Sequence, residues 1–174
     1  MTTFAGKSSH LEEVQESVDG IGTNAQFKGG IDDLAISADD NVIYFVDRDD
    51  HSLGTISVSD AKVTTHIRTL RGWNVGGPFS KASINFPQYV ASYSNDLLFF
   101  TTTGISFQGG AGIFLADFSQ KYVHTVVAAT TTGYKDGNGN EAQFNGVSGI
   151  ATTSDGKTLY ISDISNHLIR KIVR

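Results

Sequence analysis

The chain has no cysteine, which removes a disulfide framework, a thiolate metal site and a thiol nucleophile in one step. No apolar run approaches the roughly 20 residues needed to span a bilayer, and the first residues lack the charged-then-apolar layout of a secretory signal. No Asn-x-Ser/Thr acceptor occurs, and no G-x-S-x-G nucleophile elbow. Cationic residues are sparse and scattered: 13 Lys and Arg against 18 Asp and Glu give a formal charge of −5, so no basic stripe is available to hold phosphates. Neither a nucleic-acid nor a membrane partner is expected. With two Pro, 19 Gly and many Phe and Tyr, the composition suits short strands joined by tight turns in an all-β chain.

What is present is repetition. Asp136, Gly137, Gly139, Ala142, Gln143 and Phe144 repeat Asp19, Gly20, Gly22, Ala25, Gln26 and Phe27 at an offset of 117 residues. Ile150, Asp155, Tyr160, Asp163, His167 and Ile169 then repeat Leu34, Asp39, Tyr44, Asp47, His51 and Leu53 at an offset of 116. A degraded copy lies halfway. Phe86 follows Phe27 by 59 residues, precedes Phe144 by 58, and leads into the apolar run Leu97–Phe100. Three units of this length predict a propeller or another repeat architecture.

The pattern DGxGxxAxF, then GIA, then DGxxLYxxDxxNHxIRKI resembles the NHL repeat, a blade type of six-bladed β-propellers. The last unit matches throughout. The first has Asp50 where the last has Asn166, and Gly54, Thr55 and Ile56 where the last has Arg170, Lys171 and Ile172; the middle unit puts Thr102 in place of the strand-ending Asp. The resemblance covers the whole chain as a single domain, 1–174, with blades at about 19–67, 84–128 and 136–174, each expected to be four-stranded and antiparallel. The last unit stops before a fourth strand, and Met1–Gly6 reads as the missing piece. A half-propeller of three blades is then expected to complete a six-bladed ring as a homodimer, because three blades alone would leave two apolar faces in water. One helix is expected, within residues 8–18, where Leu11, Val14 and Val18 share a face and Ser9 and Glu12 have capping-box spacing.

Antiparallel strands sort the connections onto two faces. Short turns occupy one. The other carries the second-to-third loops at 47–52, 102–112 and 163–166 and the blade junctions, which vary between units. A residue that recurs at one place in two blades is more simply structural than part of a single site. On that ground Asp47 and Asp163 are expected to accept N–H groups across the following loop. His51, His167, Asn166 and Arg170 belong to the same repeat plan. The spacing of Asp136, Asn138 and Asn140 opens like a calcium loop, but Glu141 stands where Gly is required and Val147 where a bidentate Glu is required. No metal, cofactor or catalytic residue is assigned.

Function should lie in what does not repeat. The variable rim supplies Arg48, Asp49, Asp50, Arg71, Trp73, Asn74, Phe107, Gln108 and Tyr134 as binding candidates, a mixture of aromatic and Arg side chains typical of interface anchors. The resemblance implies a non-enzymatic recognition module that holds a protein, peptide or glycan on this face. The alternative it implies is a propeller enzyme, a hydrolase or metal-dependent lyase with its site at the central channel. RNA binding, the third reading, is opposed by the charge.

Overall fold

A computed structural model of the chain describes residues 1–8, 14, 16–69, 72–102, 112–129 and 131–174. Residues 9–13 and 15, within the span where a helix is expected, and the interior of the loop 102–112 fall outside the described residues.

Among the described residues, thirteen strands form three antiparallel sheets in a β-propeller arrangement. The first blade is β1 (Gly20–Ile21), β2 (Ile31–Ile36), β3 (Val42–Asp47), β4 (Ser52–Ser57) and β5 (Lys62–Arg68), in the spatial order β1-β5-β4-β3-β2. The second repeats this order with β6 (Gly77–Pro78), β7 (Pro87–Ser92), β8 (Leu97–Thr102), β9 (Gly112–Asp117) and β10 (Tyr122–Ala128). The third contains β11 (Val147–Thr152), β12 (Thr158–Asp163) and β13 (Leu168–Val173). Blades one and two thus carry a fifth, two-residue strand beyond the four expected, and residues 136–174 supply three strands of blade three. Two-residue strands in the junctions, β1 and β6, pair outside the fourth strand: Gly20 opposite Val63, Gly77 opposite Val123. Met1–Phe4 lie exposed and form no strand within the single chain.

Packing follows from position in the arc. Blade two has neighbours on both sides, so β8 is apolar from Leu97 to Phe100 and buried on both faces. Leu98 and Phe100 join Tyr44, Val46 and Leu53 in the core between blades one and two, and Phe99 joins Leu159 and Ile161 in the core between two and three. Blade three has a neighbour on one side only, and β12 alternates accordingly: Leu159 and Ile161 are buried while Tyr160 is exposed. At the hairpin end the Tyr44 hydroxyl, pushed up to about 12 by burial and then by Asp96 and Asp39, donates to the carbonyl of Asn95 in the next blade.

The repeat extends to irregularities. Both fourth strands carry a bulge at the same place: β5 pairs Gly54 with Thr65 and Leu53 with Ile67, and β10 pairs Phe114 with Thr125 and Ile113 with Val127. The extra residues, His66 and Val126, are one repeat apart. The two glycines of each DGxG opening do different work. Gly22 and Gly139 have positive φ, 56° and 52°. At Gly20 a Cβ would stand 2.9 Å from the backbone of Asn24, which would have to shift, and at Gly137 it would stand 3.0 Å from the Glu141 Cβ, a tight contact.

Candidate functional site

The face of the second-to-third loops is built on strand-ending carboxylates. Asp47 is fully buried, and its two oxygens accept the N–H groups of Asp50, at 3.0 Å, and Gly29, at 3.2 Å. Burial pushes its carboxyl up, against the pull of those two donors; the charges of Asp50 and Asp32 add to the rise. Asp163, also fully buried, accepts Asn145 N–H at 2.7 Å, Asn166 Nδ2 at 2.8 Å and Arg170 Nη1 at 3.0 Å. Arg170 reaches on to Asp136 at 2.6 Å and to the carbonyls of Gln143 and Lys135, with its guanidinium 4.8 Å from the Phe144 ring centre. One cation thus ties the third strand of blade three to its entry junction.

Blade one solves the same problem from a different strand. Gly54 stands at the place of Arg170, and the cation comes from the fourth strand: Arg68 Nε donates to Asp50 at 2.8 Å. Asp50 was expected on the binding rim; it is corrected to a buried carboxylate, 8% exposed, held by that ion pair. Asn74, half-buried, is committed to bonds within the fold as well. Its Nδ2 donates to Thr102 Oγ1 at 3.0 Å and its Oδ1 accepts Asn85 N–H at 2.6 Å, so both ends of the amide are used inside the junction. His51 has φ of 50°; its Nδ1 accepts Phe86 N–H at 3.1 Å, and its ring meets the Phe86 ring edge-on at 4.5 Å. His167 repeats the backbone, φ 57°, but is exposed.

The candidates that remain at the surface are Trp73, 61% exposed, Tyr134, 75% exposed, and the pair Arg48 and Asp49, whose side chains meet at 3.2 Å. Arg71, Phe107 and Gln108 lie outside the described residues. Trp73 and Tyr134 occupy successive blade junctions. The backbone that follows Trp73 is tied down: Asn74 is clamped by its amide, and Val75 exchanges two main-chain hydrogen bonds with Ser83, 2.8 and 3.0 Å. Sequence reasoning missed the Asp50–Arg68 pair, for which the only signal was an unmatched Arg at the end of VTTHIR. Among the described residues no group of three or more His, Asp or Glu is placed to hold a metal ion.

One large groove opens along the edge of blade three, and Tyr134 is among its lining residues. It has a volume of about 1140 Å³ and runs beside the whole of β13, with Gly137–Gly139 on its opposite side and blade-two residues such as Leu115 and Val127 behind.

No family model matches the sequence, and no curated protein matches it. Solved structures do match in fold. An auxiliary nutrient-binding protein from Bacteroides thetaiotaomicron aligns over 79% of this chain and 36% of its own, with 19% identity and a TM-score of 0.60. A second auxiliary nutrient-binding protein, from Bacteroides ovatus, aligns over 87% of this chain and 39% of its own, with 19% identity and a TM-score of 0.58. A putative phosphatase from Bacteroides thetaiotaomicron aligns over 87% and 37%, with 16% identity and a TM-score of 0.61. At such identities the likeness is one of fold. The chain spans well under half the length of each.

Proposed function

We propose that this chain is a non-enzymatic recognition module, half of an NHL-like six-bladed ring, that holds a protein, peptide or glycan on the face of its second-to-third loops and blade junctions. The observation that carries the reading is Trp73: a large aromatic surface held out in water beside a junction whose following residues, Asn74 and Val75, are fixed by hydrogen bonds. An indole offers a large, rigid contact area with only two side-chain torsions to fix on binding, the property that makes Trp an interface anchor. Tyr134 at the next junction and the exposed pair of Arg48 and Asp49 are the further candidates for this face. The nutrient-binding proteins of like fold favour binding over chemistry by analogy only.

Trp73 is the only tryptophan, so its fluorescence reports on this face alone. Peptides selected from a displayed random library, and glycans selected on an array, should shift its emission to the blue on titration. Trp73→Ala should weaken each selected ligand by about 1 kcal/mol or more. Ligands that bind with unchanged emission, and equally well to Trp73→Ala, would overturn the assignment of the face.

A further inference from the structure

The groove beside β13 has the shape of one missing strand. In blade one, β5 lies between β4 and the short strand β1; in blade two, β10 lies between β9 and β6. Blade three presents the same two walls, β13 and the segment Gly137–Asn138 that matches Gly20–Ile21, with the groove between them. We infer that this groove takes residues Met1–Gly6 of a second copy of the chain as the fourth strand of blade three, a step that rests on the two-chain ring proposed above.

The choice of occupant comes from the residues. Met1-Thr2-Thr3-Phe4-Ala5 follows the pattern of Val63-Thr64-Thr65-His66-Ile67 in β5 and Val123-His124-Thr125-Val126-Val127 in β10. The ends of that pattern, Val63 and Ile67 in one blade and Val123 and Val127 in the other, are all buried, and the central Thr precedes the bulge. Copying the register Ile56 opposite Val63 and Leu53 opposite Ile67 places Met1 opposite Ile172 and Ala5 opposite Ile169. Thr3 then takes the place of Thr65. The Thr65 N–H and Oγ1–H are both accepted by the Asp19 carboxylate, at 3.0 and 2.7 Å. Asp136 repeats Asp19, borders the groove, and its side chain is 95% exposed, leaving oxygen surface beyond its bond to Arg170 for the same two donors.

The segment is also free to travel. Met1–Phe4 are exposed, and the chain is first tied down by Gly6 N–H to Gly22 and Lys7 N–H to Ala25 in its own blade one. Blades one and three are the two ends of the arc, and the cores join only one to two and two to three. A strand anchored on blade one therefore reaches a blade-three edge in the neighbouring copy. The bonding is strand addition: main-chain pairing supplies affinity, and the alternate side chains supply register.

The test uses the whole 174-residue chain in light scattering, sedimentation and cross-linking. The intact chain should have twice the chain mass at micromolar concentration, and deletion of residues 1–5 should return it to a monomer that keeps a β-type circular dichroism spectrum. Thr3→Val and Asp136→Asn should each raise the dimer dissociation constant on the order of tenfold, as loss of a hydrogen bond to a charged group does, and the double variant should do no worse than the poorer single. Because the chain lacks cysteine, Thr2→Cys with Lys171→Cys gives a clean probe of register: oxidation should yield a covalent dimer, which neither single variant yields. A dimer that survives the deletion, or a cross-link formed within one chain, would overturn the strand exchange while leaving the six-bladed reading in place. An intact chain that stays monomeric would overturn both.

Discussion

His66 shows how one side chain becomes committed to its blade. It is the bulge residue of β5, its ring packs edge-on to Phe118 at 5.1 Å and lies 6.1 Å from Phe79 in blade two, and its Nε2 meets Thr55 Oγ1 at 2.8 Å. Burial, the main cause, outweighs the opposing charge of Asp19 and holds its pKa below the ordinary 6.5, so the folded ring is neutral where an unfolded one takes up a proton. The unfolded state then binds more protons over the interval below about 6.5. His66 thus contributes stability that is present above that value and is lost as pH falls through it toward the native pKa. We expect the urea midpoint to decline across this interval, and His66→Gln, which keeps a partner for Thr55 but cannot be charged, to decline less. Parallel curves for the two proteins would show that His66 does not set the slope. The same scale explains why Asp50 and Asn74 read as surface binders in the sequence. Variation between repeats marks both ligand contacts and local substitutes for a lost structural residue. Asp50 with Arg68 stands in for the Arg170 bond in a blade that has Gly54, and Asn74 caps a strand that ends in Thr102 where its relatives end in Asp.

At the scale of the element, Gly54 is the price blade one sets on losing that Arg. It sits directly opposite Phe45, and a Cβ there would lie 2.2 Å from the Phe45 ring and 2.7 Å from the Thr64 carbonyl oxygen. The ring covers the glycine as an aromatic cross-strand neighbour does. Gly54→Ala should therefore cost about 1–3 kcal/mol, the usual penalty of overpacking, measured by urea denaturation. Phe45→Leu added to it should recover part of that loss and not all, since the carbonyl contact remains; full recovery would mean that the ring alone fixes the strand spacing. The strands themselves were legible because two independent signals agreed, the near-60-residue repeat and the apolar runs of β3 and β8. β1 and β6 were not legible. Gly20–Ile21 and Gly77–Pro78 have no alternation to read, and they pair only because the junction passes the outer edge of the blade at strand distance. The binding rim was half legible: sequence variation identifies the loops, but only the backbone geometry separates the held-out Trp73 from the clamped Asn74 beside it.

At the scale of the whole molecule, the arc ends in two unlike faces. On blade three, the side away from blade two carries Tyr160, Ile169 and Val173, the last two 73% and 69% exposed. On blade one, the side away from blade two carries Leu34 and Ile36, each about half exposed and in register with Phe45 and Ile43. Leu53, two repeats before Ile169, is fully buried because blade two covers it. Ile169 therefore lacks only the blade that would follow, and in a closed ring blade one of the second copy supplies it. His167 would then stand toward the partner's Phe27 as His51 stands to Phe86. This gives a test separate from the exchanged strand. In an isolated arc Ile169→Glu changes one residue that faces water, and such a change moves stability by roughly 0.5 kcal/mol or less. In a ring it places an unpaired carboxylate in an apolar joint, where the cost is several-fold larger. We expect Ile169→Glu to raise the dimer dissociation constant by more than about tenfold in sedimentation equilibrium while the denaturation midpoint of the dilute, dissociated chain stays within about 0.5 kcal/mol of wild type. Tyr160→Glu, on the same face one strand inward, should act likewise. If both variants associate as the wild type does, the two apolar ends do not meet, and the arc must be covered by something other than its own copy.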